Sequence, residues 1–311
     1  MQKLCSNHAP TLVFVTPPGV PGWQRWLVFS PLARIVFFAV VLTALSMAGH
    51  AVVASLGWLG SSADGLHRAL AMFAVEVLPA LLAYLALVKG IERRRVRELA
   101  WREAPMRGVA GLIGGFVLFS AVIGVLWLAG SYRVLGFNPH PDWLPQLLMV
   151  GIGAGVAEEI IARGVIFRIV EEGLGTWIAL LLSALLFGAA HLGNPHATVW
   201  SALAIAIEAG LMFGLLYRLT GSLWPCMGLH AAWNFAQGAV YGVPVSGTHA
   251  DGFLVSARGG PDWLSGGAFG AEASVVALLL CCLVSALLLA AVLKRRGIVP
   301  PAWRRRATLA E

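Results

Sequence analysis

Charge is the scarcest ingredient of this chain. Only 12% of its 311 residues are Asp, Glu, Lys or Arg, against roughly 25% in an ordinary soluble domain. That deficit, with 59% hydrophobic residues and a mean hydropathy of +0.80, excludes a disordered chain and argues against a soluble enzyme. Cysteine is scarce as well. Cys5, Cys226, Cys281 and Cys282 form no CxxC pair, which excludes a disulfide framework and a Cys-based zinc site. They read as buried thiols behaving like small hydrophobes. No basic stripe or nucleic-acid-binding motif accompanies the net charge of +7, so no nucleic-acid partner is expected. Residues 1–31 lack the uninterrupted apolar core of a secretory signal, because Pro10, Pro17, Pro18, Pro21 and Pro31 break it.

What the chain does have is long apolar runs. A spanning helix needs about 20 predominantly apolar residues. Eight runs qualify, at about 34–59, 68–89, 108–130, 144–167, 176–193, 197–218, 222–242 and 272–293. The expected fold is therefore all-α, a multi-pass membrane helix bundle of about eight transmembrane helices, with the lipid bilayer as its main partner. Basic residues concentrate between the second and third runs (Lys89, Arg93, Arg94, Arg95, Arg97, Arg102, Arg107) and after the last (Lys294, Arg295, Arg296, Arg304, Arg305, Arg306). An even number of spans puts both clusters on one face, and the positive-inside rule makes that face, and both termini, cytoplasmic. The expected setting is the plasma (inner) membrane. The chain divides into an irregular N-terminal segment 1–31, N-terminal transmembrane helices over 32–143, a core over 144–242, a Gly-rich loop over 243–271, and a last helix with a basic tail over 272–311. The loop is expected to be disordered, as long polar connections often are.

Charged groups in the centre of a spanning helix cost roughly 2.5–3.5 kcal/mol each on insertion scales, so they need a reason. The fourth run carries Glu158, Glu159 and Arg163. Glu159 and Arg163 are four apart, share a helix face and can pair, whereas Glu158 is rotated by about 100°. Gly151 and Gly155 lie on the Glu159–Arg163 line, where a neighbour can approach closely. The fifth run ends Phe187-xxx-His191, and the seventh holds His230-xxx-Asn234, each with the same spacing of four. If the three polar stripes converge, Glu158, His191, His230 and Asn234 line one cavity. Amide hydrolysis needs a base for water and donors for the developing oxyanion, and these side chains can supply both. Glu158, His191 and His230 could also be three zinc ligands with an open fourth position, although HExxH is absent. Ser183, on the helix line of Phe187 and His191, is a weaker nucleophile candidate. Glu76 and Glu208 are isolated and read as structural or cavity-lining.

The three motifs, in this order, resemble the CAAX protease and bacteriocin-processing family of intramembrane proteases, whose pattern is EExxxR, FxxxH and HxxxN. Gly164 after the arginine and Ser183-Ala-Leu-Leu-Phe187 before the histidine fit as well. Members often carry an aromatic residue before the arginine, where this chain has Ala162. The resemblance covers about residues 144–242. It implies a metal-independent glutamic endopeptidase without cofactor, acting on a membrane-associated peptide or protein. Glu158 would activate water, His191 would assist it, and His230 and Asn234 would stabilise the oxyanion, with Glu159, Arg163 and Phe187 supporting the site. The alternatives are a bacteriocin-maturation or self-immunity protein, a non-catalytic scaffold, and a proton-coupled transporter using Glu and His as a relay.

Overall fold

The computed structural model describes residues 12–60 and 64–308; Cys5 lies outside them. The chain is a helical bundle with one small sheet. After a six-residue helix Gly22–Leu27 come α1 (Pro31–Ser55), α2 (Gly65–Ile91), α3 (Trp101–Leu128), α4 (Trp143–Gly193), α5 (Val199–Thr220), α6 (Trp224–Phe235, continued by Ala236–Val240) and α7 (Val275–Lys294). Two strands, β1 (Tyr132–Phe137) and β2 (Leu254–Arg258), pair antiparallel, Tyr132 opposite Arg258 and Phe137 opposite Leu254. The helices begin where capping chemistry starts them. Ser30 accepts from the Ala33 amide before Pro31, Asp64 accepts from Leu66, and Ser274 accepts from Ala277. Thr198 and Ser201 form a reciprocal capping box at the start of α5.

Six of these helices are long and apolar enough to cross a membrane. One, α4, has 51 residues. Straight, it would be roughly 76 Å long, more than twice a hydrocarbon core. It folds back at Gly175, whose φ of 81° and ψ of 170° are not helical. A side chain there would also strike Val299 O at 2.8 Å, so the break needs glycine twice over. Its two arms are the fourth and fifth expected runs. The seventh run is α6, shorter than the rest, with ten of its twelve helical residues buried. It sits at the centre of the bundle, between α3 and the first arm of α4. The periphery is different: α1 is 6% buried over its most apolar stretch, against 61% for α5. Lipid would contact α1 and α7, which is why neither shows a polar face.

Two ends can be told apart. At one, Arg34 at the start of α1, Glu92 after α2, and Arg168 and Glu172 beside the α4 break form a buried ion cluster, with Arg34–Glu92 at 2.7 Å and Arg168–Glu92 at 2.9 Å. Arg94 and Glu98 extend it at 2.7 Å. This is the end that carries the basic segment and, through the Thr176 to Val299 hydrogen bond, the C-terminal segment. At the other end lie the β1–β2 sheet and the connection between α6 and α7.

That connection departs from the sequence expectation of disorder. Asp251 ties it to the start of α4 by accepting from Asn138 and from the Asp142 amide, both at 2.9 Å, while its carbonyl accepts from Gln146. Arg258 donates to the carbonyls of Ser265 and Gly267. The long polar loop is ordered because its charged groups find partners within the protein. A second departure concerns the thiols: Cys226 and Cys281 are buried as expected, but Cys282 is exposed.

Candidate active site

Arg163 is the hub around which the three motifs gather. It is fully buried and donates through Nη1 to Glu159 Oε1 at 2.8 Å and through Nη2 to the carbonyl of Ala209 on α5 at 2.7 Å. Its guanidinium lies 4.5 Å from the centroid of Phe187 and 5.0 Å from that of Phe213, in cation–π range. The aromatic residue of the second motif thus faces the cation of the first. The Ala209 carbonyl lies in Ala206–Leu211, a segment wound with i→i+5 bonds, a feature frequent at functional sites. Ala162, small where an aromatic is common, packs in a cluster with Phe187, Ile205 and Phe269.

Glu159 has a second partner that helix spacing alone does not reveal. His230 Nδ1 lies 3.0 Å from the same Oε1 that accepts from Arg163. A carboxylate only accepts, so Nδ1 carries the proton and Nε2 faces away from Glu159. The approach of α6 that brings His230 there is backbone-close: a side chain at Gly155 would meet the Ala231 amide at 3.0 Å and the Met227 carbonyl at 3.1 Å. Asn234, one turn on, donates from Nδ2 to the Val150 carbonyl at 2.8 Å, which leaves its second amide hydrogen and its oxygen uncommitted there.

Glu158 points elsewhere. Its side chain is about a third exposed, its Oε2 has no hydrogen-bond partner, and that oxygen lies 4.0 Å from His191 Nε2. His191 is oriented from behind, since its Nδ1 lies 2.8 Å from the Phe187 carbonyl and must be the donor there. Its Nε2 is then an acceptor in the neutral ring. His191, His230, Asn234 and Phe187 line one cavity of about 40 Å³, room for about three waters; Glu158, expected among them, is not one of its lining residues and comes near it through His191. Ser183 does not line it; its hydroxyl is buried against the Leu180 carbonyl at 3.4 Å. Among the described residues no three His, Cys, Asp or Glu side chains are grouped closely enough to hold a metal ion.

Three further carboxylates join this region: Glu76 and Glu208, which the sequence left isolated, and Glu272, which it did not single out. Glu76 of α2 reaches the first arm of α4, where a Cβ on Gly153 would meet its Oε2 at 2.5 Å. Its charged neighbours are Glu158 and His230. Glu208 of α5 and Glu272, just before α7, both line the cavity. Burial raises the pKa of Glu272, opposed by the hydrogen bond from Ser246 and the nearby His191. Their only sequence signal was a charge inside an apolar run.

Comparison with known proteins gives one match. Residues 140–236 match the family model described as type II CAAX prenyl endopeptidase Rce1-like. No curated protein matches the chain. The matched segment contains all three motifs and ten of the thirteen residues that line the cavity, and over that segment the chain is similar to the type II CAAX prenyl endopeptidase Rce1-like family.

Proposed function

We propose that this membrane protein hydrolyses a peptide bond of a membrane-associated substrate with water activated by Glu158. The observation that carries the reading is the unpartnered Glu158 oxygen facing His191 Nε2 across 4.0 Å. A water hydrogen-bonded to both at about 2.8 Å would subtend about 90°, an accessible geometry. Glu158 takes the water proton as hydroxide adds to the carbonyl carbon. The C–N bond then breaks and the proton passes to the leaving amine. His191, held with Nε2 as acceptor, orients the water. The developing oxyanion can be met by the free Asn234 amide hydrogen, and by His230 Nε2 when that ring carries a second proton. Glu159, Arg163 and Phe187 hold the two histidine helices in register. No metal enters these steps.

The direction of access favours one substrate class. The cavity wall includes Ser246 and Glu272 from the α6–α7 connection, at the end opposite the basic cluster. If the basic end is cytoplasmic, the substrate arrives from the outer face of the plasma membrane. A peptide on that side fits this better than a prenylated tail in the cytosol, and either a processed bacteriocin-like peptide or a membrane-protein loop belongs to that class.

The test is cleavage of a quenched fluorescent peptide library by the purified chain in detergent, run in water enriched in heavy oxygen. Direct attack by water predicts one heavy oxygen in the new carboxylate, no trapped acyl-enzyme, and activity that survives chelators. Loss of activity on chelation with recovery on adding zinc would replace the glutamate mechanism with a metal one. A trapped acyl-enzyme would replace it with a nucleophilic side chain.

A further inference from the structure

Glu208 is the most conspicuous polar group that the proposed hydrolysis does not use. It is 3% exposed, lies within a spanning helix, lines the cavity, and its Oε1 has no hydrogen-bond partner. Glu272 is the other carboxyl that lines the cavity with it. Arg163, on the neighbouring α4, is turned toward Glu159 and the Ala209 and Gly210 carbonyls, while its Nε is unpartnered. Glu272, also 3% exposed, approaches the same cavity from the α6–α7 connection and accepts from the Ser246 amide at 2.5 Å. Two buried carboxylates therefore share a wall with the imidazoles of His191 and His230, and no lysine or arginine is among its described lining residues. An apolar setting favours neutral carboxyls, and a cation brought into the cavity would favour the ionised pair.

We propose that Glu208 and Glu272 form a subsite for a cationic side chain of the substrate, a lysine or arginine flanking the scissile bond. The inference rests on the peptidase reading for its substrate and on the cavity for its chemistry. Space for about three waters in a cavity of about 40 Å³ suits an ammonium or guanidinium head. The donors of such a head match carboxylates that only accept. A metal ion fits less well, because no third ligating side chain is grouped with the pair among the described residues. Trp233 lines the same cavity and offers apolar surface to the aliphatic stem.

The experiment uses the full chain in detergent with peptides that differ only beside the scissile bond, carrying arginine, lysine, citrulline or norleucine. n-Butylguanidinium serves as a separate probe, with n-butanol as its neutral counterpart. The expected result is cleavage of arginine and lysine peptides about 100-fold better in kcat/KM than of the citrulline and norleucine ones, since a buried hydrogen-bonding site rejects analogues that leave it unpaired. n-Butylguanidinium, and not n-butanol, should raise the melting temperature of the wild type. Glu208→Gln should shrink the arginine-to-citrulline ratio at least tenfold and abolish the melting shift. Equal cleavage of arginine and citrulline peptides with no melting shift would overturn the subsite while leaving the peptidase standing. No cleavage at all, with a melting shift that Glu208→Gln removes, would sink the peptidase and keep the cation site. Should Glu208→Gln not fold, the wild-type comparison of arginine with citrulline and the melting shift decide the matter by themselves.

Discussion

At the residue scale the two adjacent glutamates of the first motif have opposite environments, and their substitutions should fail in opposite ways. Glu158 is part exposed with a free oxygen, so Glu158→Gln keeps its shape, should accumulate and melt like the wild type, and should lose cleavage by a factor of about 10²–10⁴, the usual worth of a general base. Glu159 is fully buried and shared between Arg163 and His230. Glu159→Gln strands a buried guanidinium, a change that costs roughly 3–5 kcal/mol, and should lower abundance and melting temperature together with activity. Membrane abundance, thermal melts and cleavage of the two variants side by side check this; an unstable Glu158→Gln beside a stable, inert Glu159→Gln would exchange the two roles. The Glu159–Arg163 contact was legible in the sequence, because a spacing of four on a helix is a contact in space. The Glu159–His230 contact was not, since it joins residues 71 apart through packing of α4 on α6. Glu76, Glu208 and Glu272 were obscure for the same reason: each is one charge on its own element, and only the tertiary fold brings them to one place.

At the scale of elements, the position of α6 depends on small residues. A Cβ at Gly115 of α3 would collide with the Leu229 carbonyl, the residue before His230, and one at Gly228 of α6 would meet the Leu112 amide at 2.9 Å. Gly115→Val must push α3 and α6 apart. The expected outcome is a loss of about 1–3 kcal/mol in stability, as for overpacked cores, and a fall in cleavage of about 100-fold if His230 moves by 1 Å. A normal melt and normal rate for Gly115→Val would show that α6 is not held by this crossing. The ion cluster at the opposite end predicts a pH dependence. Burial alone would raise the Glu92 and Glu98 carboxyls, but Arg168, Arg94 and Arg34 around Glu92, and Arg94 and Arg168 around Glu98, hold both below the ordinary carboxylate range. A carboxyl with a lowered folded pKa contributes stability above its unfolded value of about 4.3 and loses it as pH falls through the folded value. Melting temperature should therefore be insensitive to these groups between pH 8 and 5, to the extent set by about 4.3 as the unfolded limit, and should fall below that. Glu92→Gln should start lower and show a shallower acid limb; an unchanged limb would remove Glu92 from the linkage. The elements of the bundle were legible from apolar runs and caps. The order in the α6–α7 connection was not, because polar loop composition does not say whether Asp251, Arg258 and Glu272 find partners.

At the scale of the molecule, sidedness decides which peptides can reach the site. The two helices that leave the basic segment, α2 and α3, each run the full depth of the bundle, and α3 leads directly into β1, which pairs with β2 of the α6–α7 connection. The basic end and the sheet end are therefore opposite faces, whichever of them is cytoplasmic. With each arm of α4 and α6 taken as a crossing, the start of α1 at Pro31 and the end of α7 at Lys294 fall on the same, basic side. We propose from charge bias that this face is cytoplasmic, where it would also suit an anionic inner leaflet. Single cysteines at Arg102 in the basic segment and at Gly260 beyond β2 would test the assignment in a background without native cysteines. A membrane-impermeant maleimide added to intact cells should label the Gly260→Cys protein and spare the Arg102→Cys protein until the cells are opened. The reverse pattern would turn the bundle over, put the cavity mouth in the cytoplasm, and restore a cytosolic lipidated tail as the better substrate. Labelling of both from outside would mean that the basic segment is not a cytoplasmic anchor, and the argument from charge would fail while the geometry of Glu158, His191, His230 and Asn234 stood unchanged.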